Sequence, residues 1–377
     1  MPRIMTYVGA LGLAFVVSAP RLCAAEDNES IDQTYRRTVS RAVEAMLARQ
    51  ADDGSFSKQA SPAVTAIVTT GLLRHGRGAG EPAVAKALKY LEKFVQADGG
   101  IYAPQSGYAN YETALSVLCF KEANKDGRYD KVLKGAEKFL KQHQWDEGEK
   151  TADGKPVDKS NPAFGGAGYG KKARPDLSNT QIFLDALVAL GNGPDDPHVK
   201  NALTFISRCQ NLEGEHNTLP FPAKVNDGGF YYTPAAGGES QAGKNPDGGL
   251  RSYASMTYAG LKSMIYCGVK PDDARVKAAV EWIRKHYDLD SNPGMGDAGL
   301  YYYYHTFAKA LDALGQDEFK DDKGKTHNWR HELIAELASR QQKDGTWVNE
   351  NVRWLEGDAN LVTGYALLAL SHCKPKK

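Results

Sequence analysis

The sequence lacks a surplus of charge of either sign. Its 377 residues include 47 Lys and Arg against 46 Asp and Glu, a formal net charge of +1 with neutral histidine. Proteins that bind nucleic acid or anionic lipid use a basic surface to attract phosphate. The balance therefore predicts a protein with no nucleic-acid partner.

Cysteine is scarce, and no two cysteines form a Cys-x-x-Cys pair. The five cysteines are Cys23, Cys119, Cys209, Cys267 and Cys373. The last four lie near the ends of apolar helical segments, where a lone cysteine behaves as a small hydrophobic residue. In an oxidising compartment one or two disulfides are the alternative, and the sequence leaves their pairing open.

Long hydrophobic runs are absent except at residues 8–17. This run follows Arg3 and precedes the small residues Ala24 and Ala25, after which the chain turns acidic. That order is typical of a secretory signal peptide, and the run is too short to span a bilayer. We therefore expect a signal peptide at 1–25, a mature chain at 26–377, and a secreted or periplasmic protein without a transmembrane segment.

One short phrase recurs along the chain. Residues 50–56 read Gln-Ala-Asp-Asp-Gly-Ser-Phe, and similar phrases stand at 96–102 and 342–347, with weaker copies at 144–148 and 209–214. Self-similarity at this spacing indicates stacked copies of one structural unit. The glycine reverses the chain, the glutamine can bond the open backbone groups of a neighbouring helix end, and the final aromatic fills a gap between units. These residues are predicted to be structural.

The chain between the phrases alternates between two kinds of helix. Six strongly apolar helices are predicted at 62–74, 111–123, 179–190, 253–266, 303–314 and 359–372. Six amphipathic helices precede them, at 29–50, 81–96, 129–144, 197–210, 274–287 and 327–342. Apolar helices are covered on several sides, whereas amphipathic ones face solvent. The alternation predicts an all-α, single-domain (α/α)6 toroid of six inner and outer helix pairs, with an open solenoid as the competing arrangement.

Two connections, residues 147–176 and 213–251, are much longer than the rest and mix glycine with aromatics. Loops of this length in a compact fold are usually functional or disordered. We expect them to be ordered and to fold over one mouth of the ring.

The repeated phrase ahead of an apolar helix resembles that of the squalene/hopene cyclases and the protein prenyltransferase β subunits. Residues 176–181, Asp-Leu-Ser-Asn-Thr-Gln, resemble the cyclases in particular. The resemblance covers nearly the whole mature chain and implies the α/α toroid fold with a terpenoid-like or other apolar ligand. The cyclase Asp-x-Asp-Asp motif is not found at an inner-helix start. The prenyltransferase zinc ligands are also missing, because Gly299 stands where a cysteine would follow Asp297. No metal or cofactor is therefore expected, and whether the protein is an enzyme stays open.

Inner-helix starts converge on one mouth of such a ring, where free N–H groups carry partial positive charge. Polar residues at these starts are the candidate ligand-binding residues: Glu112, Asp176, Asn179, Arg251, Tyr253, Tyr302 and Asp358. The alternative for Asp176 and Asp358 is helix N-capping, and for Glu112 a favourable first-turn position.

Candidate catalytic residues lie at the start of the fifth inner helix, where residues 301–305 read Tyr-Tyr-Tyr-Tyr-His. His305, with Asp297 and Tyr304 nearby in sequence, forms a possible acid/base group. Helical spacing predicts that Tyr301, Tyr304 and His305 share a face, with Tyr302 on another side. The alternative is that the tyrosines fill a wide helix interface.

Two metal-like spacings have simpler explanations. His327 and His331 are spaced for zinc but open an outer helix, where a solvated face is the alternative. Asp288, Asp290 and Asn292 resemble the start of a calcium loop, without its sixth-position glycine and twelfth-position glutamate. We expect a loop reversal there.

Three functional hypotheses remain. The first is an apolar small-molecule ligand in the central cavity. The second is a glycan, bound or degraded at an open mouth, and the third is a non-catalytic protein or cell-surface recognition module. In each case we expect a monomer.

Overall fold

The structure is a computed structural model that describes residues 29–150, 154 and 156–374. The predicted signal peptide, residues 1–25, lies outside this part of the chain. Within it, no helix is both long and apolar enough to cross a membrane.

Twelve α-helices are found among the described residues, in the predicted alternation. The outer helices are α1 (Ile31–Arg49), α3 (Pro82–Glu92), α5 (Asp130–Gln142), α7 (Pro197–Arg208), α9 (Ala274–Lys285) and α11 (Trp329–Arg340). The inner helices are α2 (Pro62–Arg74), α4 (Ala109–Ala123), α6 (Leu177–Ala189), α8 (Ala254–Tyr266), α10 (Leu300–Leu314) and α12 (Ala359–Ser371). The inner helices are buried around most of their circumference, as their uniformly apolar sequences predict.

The inner helices form a closed ring. Each packs against the next inner helix in the chain, and α12 packs against α2, while outer α1 packs against α11. The α12–α2 seam is tight because Gly71 and Gly364 face the opposite helix. A Cβ at Gly71 would lie 2.9 Å from Leu367 Cβ, and one at Gly364 would lie 2.7 Å from Ile67 Cγ2. The (α/α)6 toroid is thus confirmed, and the open solenoid is excluded.

The glutamine of the repeated phrase ties one helix pair to the next. Gln50, Gln144, Gln210 and Gln341 each donate their side-chain amide to two carbonyls, one near their own reversal glycine and one in the N-terminal half of the next outer helix. In the last copy this residue is Gln341, one position before the glutamine predicted at 342. Gln96 departs from this pattern and bonds only Phe94 and Tyr102. It stands three residues before its glycine, whereas Gln50 and Gln341 stand four before theirs.

The first part of each long loop is an insertion inside the repeated phrase. Gly165 and Gly228 occupy the tight position of the reversal, since a Cβ there would meet the carbonyl oxygens of Asn201 and Ala278. Gly148 and Gly214, which complete the phrases predicted at 144–148 and 209–214, have open space around them. The prediction that Gly148 and Gly214 make the reversal was wrong. They follow the glutamine closely in sequence, whereas the true reversal glycine comes only after an inserted segment.

A second repeated contact joins each phrase to its inner helix. The backbone N–H two residues after the reversal glycine donates to a threonine in the first turns of that helix. The acceptors in the five copies are Thr65, Thr113, Thr180, Thr257 and Thr363. Phe56 and Trp347, predicted to fill gaps between units, are buried at this position.

The fifth outer-to-inner connection departs from the repeat, and a two-stranded hairpin follows α10. Strands β1 (Glu318–Lys320) and β2 (Thr326–Asn328) pair antiparallel, so the helix expected from 327 begins at Trp329. All four described cysteines are buried free thiols.

Candidate functional site

A cavity of about 540 Å³ opens at one end of the ring. All six inner helices contribute residues from their N-terminal turns, so these helix starts share one rim as predicted. We call this space the mouth cavity. It is lined by Ala60, Ser61, Ala63, Val64, Ile67, Tyr108, Tyr111, Tyr169, Ser178, Tyr232, Gln241, Tyr253, Ser255, Met256, Gly299, Tyr302, Trp354, Leu355, Leu361 and Tyr365.

The wall of the mouth cavity is aromatic and uncharged. Seven tyrosines and one tryptophan line it, and no Asp, Glu, Lys, Arg or His is among the described lining residues. The remaining polar groups are three serine hydroxyls and one glutamine amide. Such a wall offers apolar ring faces together with a few hydrogen-bonding groups that can orient a ligand.

Both long loops reach the mouth cavity. Tyr169 comes from the first loop, and Tyr232 and Gln241 come from the second. Tyr169 packs against Tyr108 and Tyr111, with ring centroids 5.4 and 5.6 Å apart. The loops therefore form part of the wall, as expected for ordered loops over one mouth.

A third segment, which sequence reasoning missed, completes the rim. Val352, Trp354 and Leu355 are among the few large apolar side chains exposed in the described chain, at 69, 44 and 56%. Trp354 and Leu355 both have positive φ, at 56° and 64°, a conformation that is unusual for large side chains. The Arg353 guanidinium lies 4.2 Å from the Trp354 ring centroid and donates to the Gln241 side chain. We call residues 352–355 the rim segment.

Hydroxyl contacts close the floor of the mouth cavity. The Tyr302 hydroxyl lies 3.0 Å from the Ser178 hydroxyl and accepts from the Gln181 amide at 3.2 Å. The hydroxyls of Tyr111 and Tyr365 are 3.4 Å apart. Four inner helices, α4, α6, α10 and α12, thus meet across the axis at this level.

A buried ionic cluster lies beyond the floor. Asp185 pairs with both Lys262 and Lys309, each at 2.6 Å, and all three side chains are at most 9% exposed. Burial lowers the pKa of Lys262 to about 8, with Asp185 opposing the shift. A chamber of about 30 Å³ beside the cluster is lined in part by Arg74 and His305. The cluster was not predicted, although charged residues inside three apolar helices were a visible signal.

Two of the predicted ligand-binding residues, Tyr253 and Tyr302, line the mouth cavity. Glu112, Asp176 and Asn179 are buried and do not belong to its lining. Asp176 caps α6 by accepting from the Asn179 backbone and side chain, at 2.8 and 2.7 Å. Burial raises the pKa of Asp176 to about 6, against the hydrogen bonds from Asn179 and Tyr232.

The other two predicted ligand-binding residues also lie outside the lining. Asp358 caps α12 by accepting from the backbone N–H groups of Asn360 and Leu361. Arg251 is exposed on the second long loop. The carboxylates of Asp176 and Asp358 therefore cap their helices, which was the alternative considered for them.

The three predicted catalytic residues lie in different places. His305 lines the chamber beyond the floor, with a buried Nδ1 that has no partner in the described chain. Burial lowers its pKa well below the usual value. The Tyr304 hydroxyl donates to the Leu289 carbonyl at 2.6 Å, and the Asp297 side chain is exposed. The structure does not bring them together.

Tyr301 and Tyr304 share a face of α10 as predicted, but the prediction that His305 shares that face was wrong. Tyr302 and His305, three residues apart, both face the axis, whereas Tyr301 and Tyr304 pack on each other with ring centroids 5.6 Å apart. Residues three apart lie closer on a helix surface than adjacent ones, which are separated by roughly 100°.

The residues whose spacing resembles a metal site make contacts within the protein or face solvent. The His327 ring bonds Glu332 and Asp321, and His331 is exposed. The Asn292 amide donates to the Ala298 carbonyl at 2.9 Å within the loop reversal. No group of three or more His, Cys, Asp or Glu side chains in the described chain is placed to hold a metal ion.

No protein-family model matches the sequence, and no curated protein matches it. The fold is similar to a family 76 glycoside hydrolase from a bovine Bacteroides thetaiotaomicron strain, with a TM-score of 0.54 and 11% identity over 89% of this chain and 77% of that one. It is also similar to a possible family GH105 member from Salmonella enterica serovar Paratyphi A, with a TM-score of 0.50 and 11% identity over 96% of this chain and 98% of that one.

A type II terpene cyclase, MstE from Scytonema, matches more loosely, with a TM-score of 0.34 and 13% identity over 91% of this chain and 98% of that one. At these identities the similarities with the two hydrolases support the toroid fold alone. The likeness to the cyclase carries no argument here.

Proposed function

We propose that this protein binds a largely apolar, terpenoid-like small molecule in the mouth cavity. The observation that carries the proposal is the wall itself, with eight aromatic side chains, several aliphatic ones and no charged group. Its volume of about 540 Å³ lies within the range of small-molecule sites, roughly 300–1,000 Å³. Burying an apolar ligand there removes its surface and that of the exposed rim segment from water.

Hydroxyls orient the ligand in this proposal. Ser61, Ser178 and Ser255 stand in the wall beside the tyrosines, so an alcohol or carbonyl on the ligand finds partners at several depths. The residues that we propose to contact it include the predicted Tyr253 and Tyr302. Glu112, Asp176 and Asn179 act from behind the wall, through the residues that they hold in place.

The proposal is one of binding. Glycoside hydrolysis commonly needs two carboxyl groups flanking the scissile bond, and the wall supplies none. His305, Asp297 and Tyr304 do not converge on one reacting atom. We also propose that the protein is secreted or periplasmic, because residues 1–25 have the sequence pattern of a signal peptide. We expect it to act as a monomer.

Ligand retention and fluorescence titration test this function together. Protein from its native host is extracted and the retained molecules are identified by mass spectrometry. The purified protein is then titrated with farnesol and geranylgeraniol while tryptophan emission is recorded. Trp354 is the one described tryptophan in the wall, so we expect emission to change on binding and most of that change to disappear in Trp354→Phe.

A cavity-filling variant provides the matched control. Ala63→Phe places a ring inside the mouth cavity and is expected to weaken binding at least about tenfold by occupying ligand volume. Ala51→Phe makes the same change at an exposed loop position and should bind normally. Equal binding by both variants would contradict the proposed site.

A glycan is the second candidate because Tyr108 and Trp354 are exposed at the rim, at 53 and 44%. Exposed aromatic faces suit sugar rings, and an open mouth admits a chain. Titration with maltohexaose and a glycan array decide between the candidates. Glycan binding sensitive to Trp354→Ala, with no isoprenoid binding or retention, would replace the first proposal.

A further inference from the structure

Three buried carboxylates stand directly behind the wall of the mouth cavity. Glu112, Asp176 and Glu356 are 2, 2 and 1% exposed. Each touches a lining residue. Glu112 accepts from the Ser61 hydroxyl at 2.9 Å, and Glu356 accepts from the Tyr302 backbone N–H at 2.8 Å. The Tyr232 hydroxyl lies close enough to Asp176 to lower the pKa of its carboxyl.

These carboxylates have neutral partners only. Glu112 also accepts from the Ser106 hydroxyl and the Ala103 N–H, Asp176 from Asn179, and Glu356 from the Asn349 amide and the Tyr301 N–H. In the described chain no lysine or arginine forms an ion pair with any of the three. Buried charges are normally paired, so three without a counter-ion around one cavity require an explanation.

Helix N-termini provide part of the compensation. The three carboxylates lie at the starts of α4, α6 and α10, where aligned peptide dipoles are worth roughly half a positive charge each. A full negative charge therefore overcompensates each end. Counting only the six inner-helix starts and their four carboxylates, of which Asp358 on α12 is the fourth, leaves roughly one net negative charge at this level of the ring.

The aromatic wall also favours a positively charged ligand. Ring faces carry the negative part of the aromatic quadrupole and attract cations positioned over them. The nearby arginines stand outside the wall and are engaged. Arg353 lies over Trp354 and bonds Gln241, and Arg174 pairs with Glu239 at 2.7 Å. Among the residues that the structure describes, no Lys, Arg or His belongs to the lining.

We infer that the ligand of the mouth cavity carries a positively charged centre, a quaternary ammonium or a protonated amine, on its apolar body. This inference rests on the proposed apolar-ligand function and names its substrate class. The bound cation supplies the counter-charge that the buried carboxylates lack, while its alkyl surface packs against the rings. An anionic headgroup, such as a diphosphate, is rejected by the same carboxylates.

Three ligands with one decyl chain and different headgroups isolate the charge. The probes are decyltrimethylammonium, decyldimethylamine oxide at pH 7.5, which is net neutral, and decyl sulfate, measured by calorimetry below micelle formation. We expect the cation to bind at least about tenfold more tightly than the neutral probe, and the sulfate not to bind. Equal affinity for the cationic and neutral probes overturns the inference and leaves the apolar-ligand proposal standing. If no probe binds and farnesol also fails, the proposed function falls as well.

Isosteric variants assign the effect to the carboxylates. Glu356→Gln, Glu112→Gln and Asp176→Asn each keep the shape of the side chain, remove one charge and replace one accepting oxygen by an amide NH2 group. Each is expected to weaken binding of the cation about three- to tenfold more than binding of the neutral probe. Asp272→Asn removes an exposed charge from the turn before α9, at the other end of the ring, and should change neither affinity. Should a variant unfold, the wild-type comparison of headgroups still decides.

The pH dependence provides a second readout. Burial raises the pKa of Asp176 to about 6, and its surroundings are Asn179, Tyr232, Tyr169, Tyr253, Cys209 and Arg174. The ionised form favours the cation, so its affinity should fall as the pH drops through about 6, and in Asp176→Asn this step should shrink. An unchanged cation affinity between pH 7.5 and 5 would contradict the inference.

Discussion

At the scale of single residues, position along an inner helix decides what a side chain does. Tyr253 and Tyr302 were predicted from their places at helix starts, and both line the mouth cavity. Asp185, Lys262 and Lys309 occupy similar depths in the middle of α6, α8 and α10, where nothing in their local sequence indicates pairing. Only the ring brings their charged atoms to within 2.6 Å.

The ionic cluster predicts an asymmetric response to mutation. Asp185→Asn leaves two buried ammonium groups without a counter-ion, and we expect it to lower the free energy of unfolding by about 3–5 kcal/mol. Lys309→Met leaves the balanced Asp185–Lys262 pair and should cost about 1 kcal/mol or less. Chemical denaturation of both variants at pH 7 measures the difference. Equal losses would show that the two lysines are not both charged.

At the scale of the elements, the repeated phrase works as a clamp between successive pairs. The sequence correctly indicated that its glutamine bonds a neighbouring helix end, and the structure adds the threonine contact to the inner helix. What proximity along the chain concealed was the insertion of a long segment between the glutamine and its glycine in two copies. Tyr169, Tyr232 and Gln241, which line the mouth cavity, follow those glycines in the remainder of the two long loops.

The clamp predicts that equivalent glutamines are not equally important. Gln341→Ala removes the amide that bonds the Thr38 carbonyl of α1 and the Gly345 carbonyl, both at 2.9 Å. Loss of two such bonds should cost about 2–3 kcal/mol of unfolding free energy. Gln96→Ala also removes two bonds, but both lie within one loop and join no second helix pair, so we expect a smaller loss. Thermal and urea denaturation test the ranking, and a larger loss in Gln96→Ala would refute it.

At the scale of the whole molecule, closure gives every inner helix two inner neighbours. An open stack of repeats tolerates the loss of a terminal repeat, since each repeat contacts only its neighbours. A ring has no terminal repeat. Removing the last pair, α11 and α12, exposes the buried faces of α2, α10 and α1 together.

Truncation therefore distinguishes the two architectures by folding behaviour. A chain that ends at Gly324 is expected to lose its cooperative thermal transition and to aggregate, whereas the full chain unfolds in one step. Circular dichroism and size-exclusion chromatography report both properties. A truncated chain that stays monomeric and melts sharply would show that closure contributes little.

The features of the fold and of the candidate site that could be predicted are those that depend on interactions between residues close in sequence. Helix periodicity, the apolar or amphipathic character of each segment and the repeated phrase are local features, so the sequence alone determined the six pairs and favoured a toroid over an open solenoid. It also determined that helix starts would build the site, because inner helices in alternating pairs run in the same direction.

The tertiary structure decided which atoms face the axis. Adjacent helical residues differ by roughly 100° in direction, so a small rotation of α10 set by its neighbours turned Tyr302 and His305 inward and Tyr304 outward. The rim segment and the buried carboxylates came to surround one cavity only when parts of the chain distant in sequence came together. Contacts between such segments depend on the closed packing of the whole ring, and short-range sequence patterns do not encode that packing.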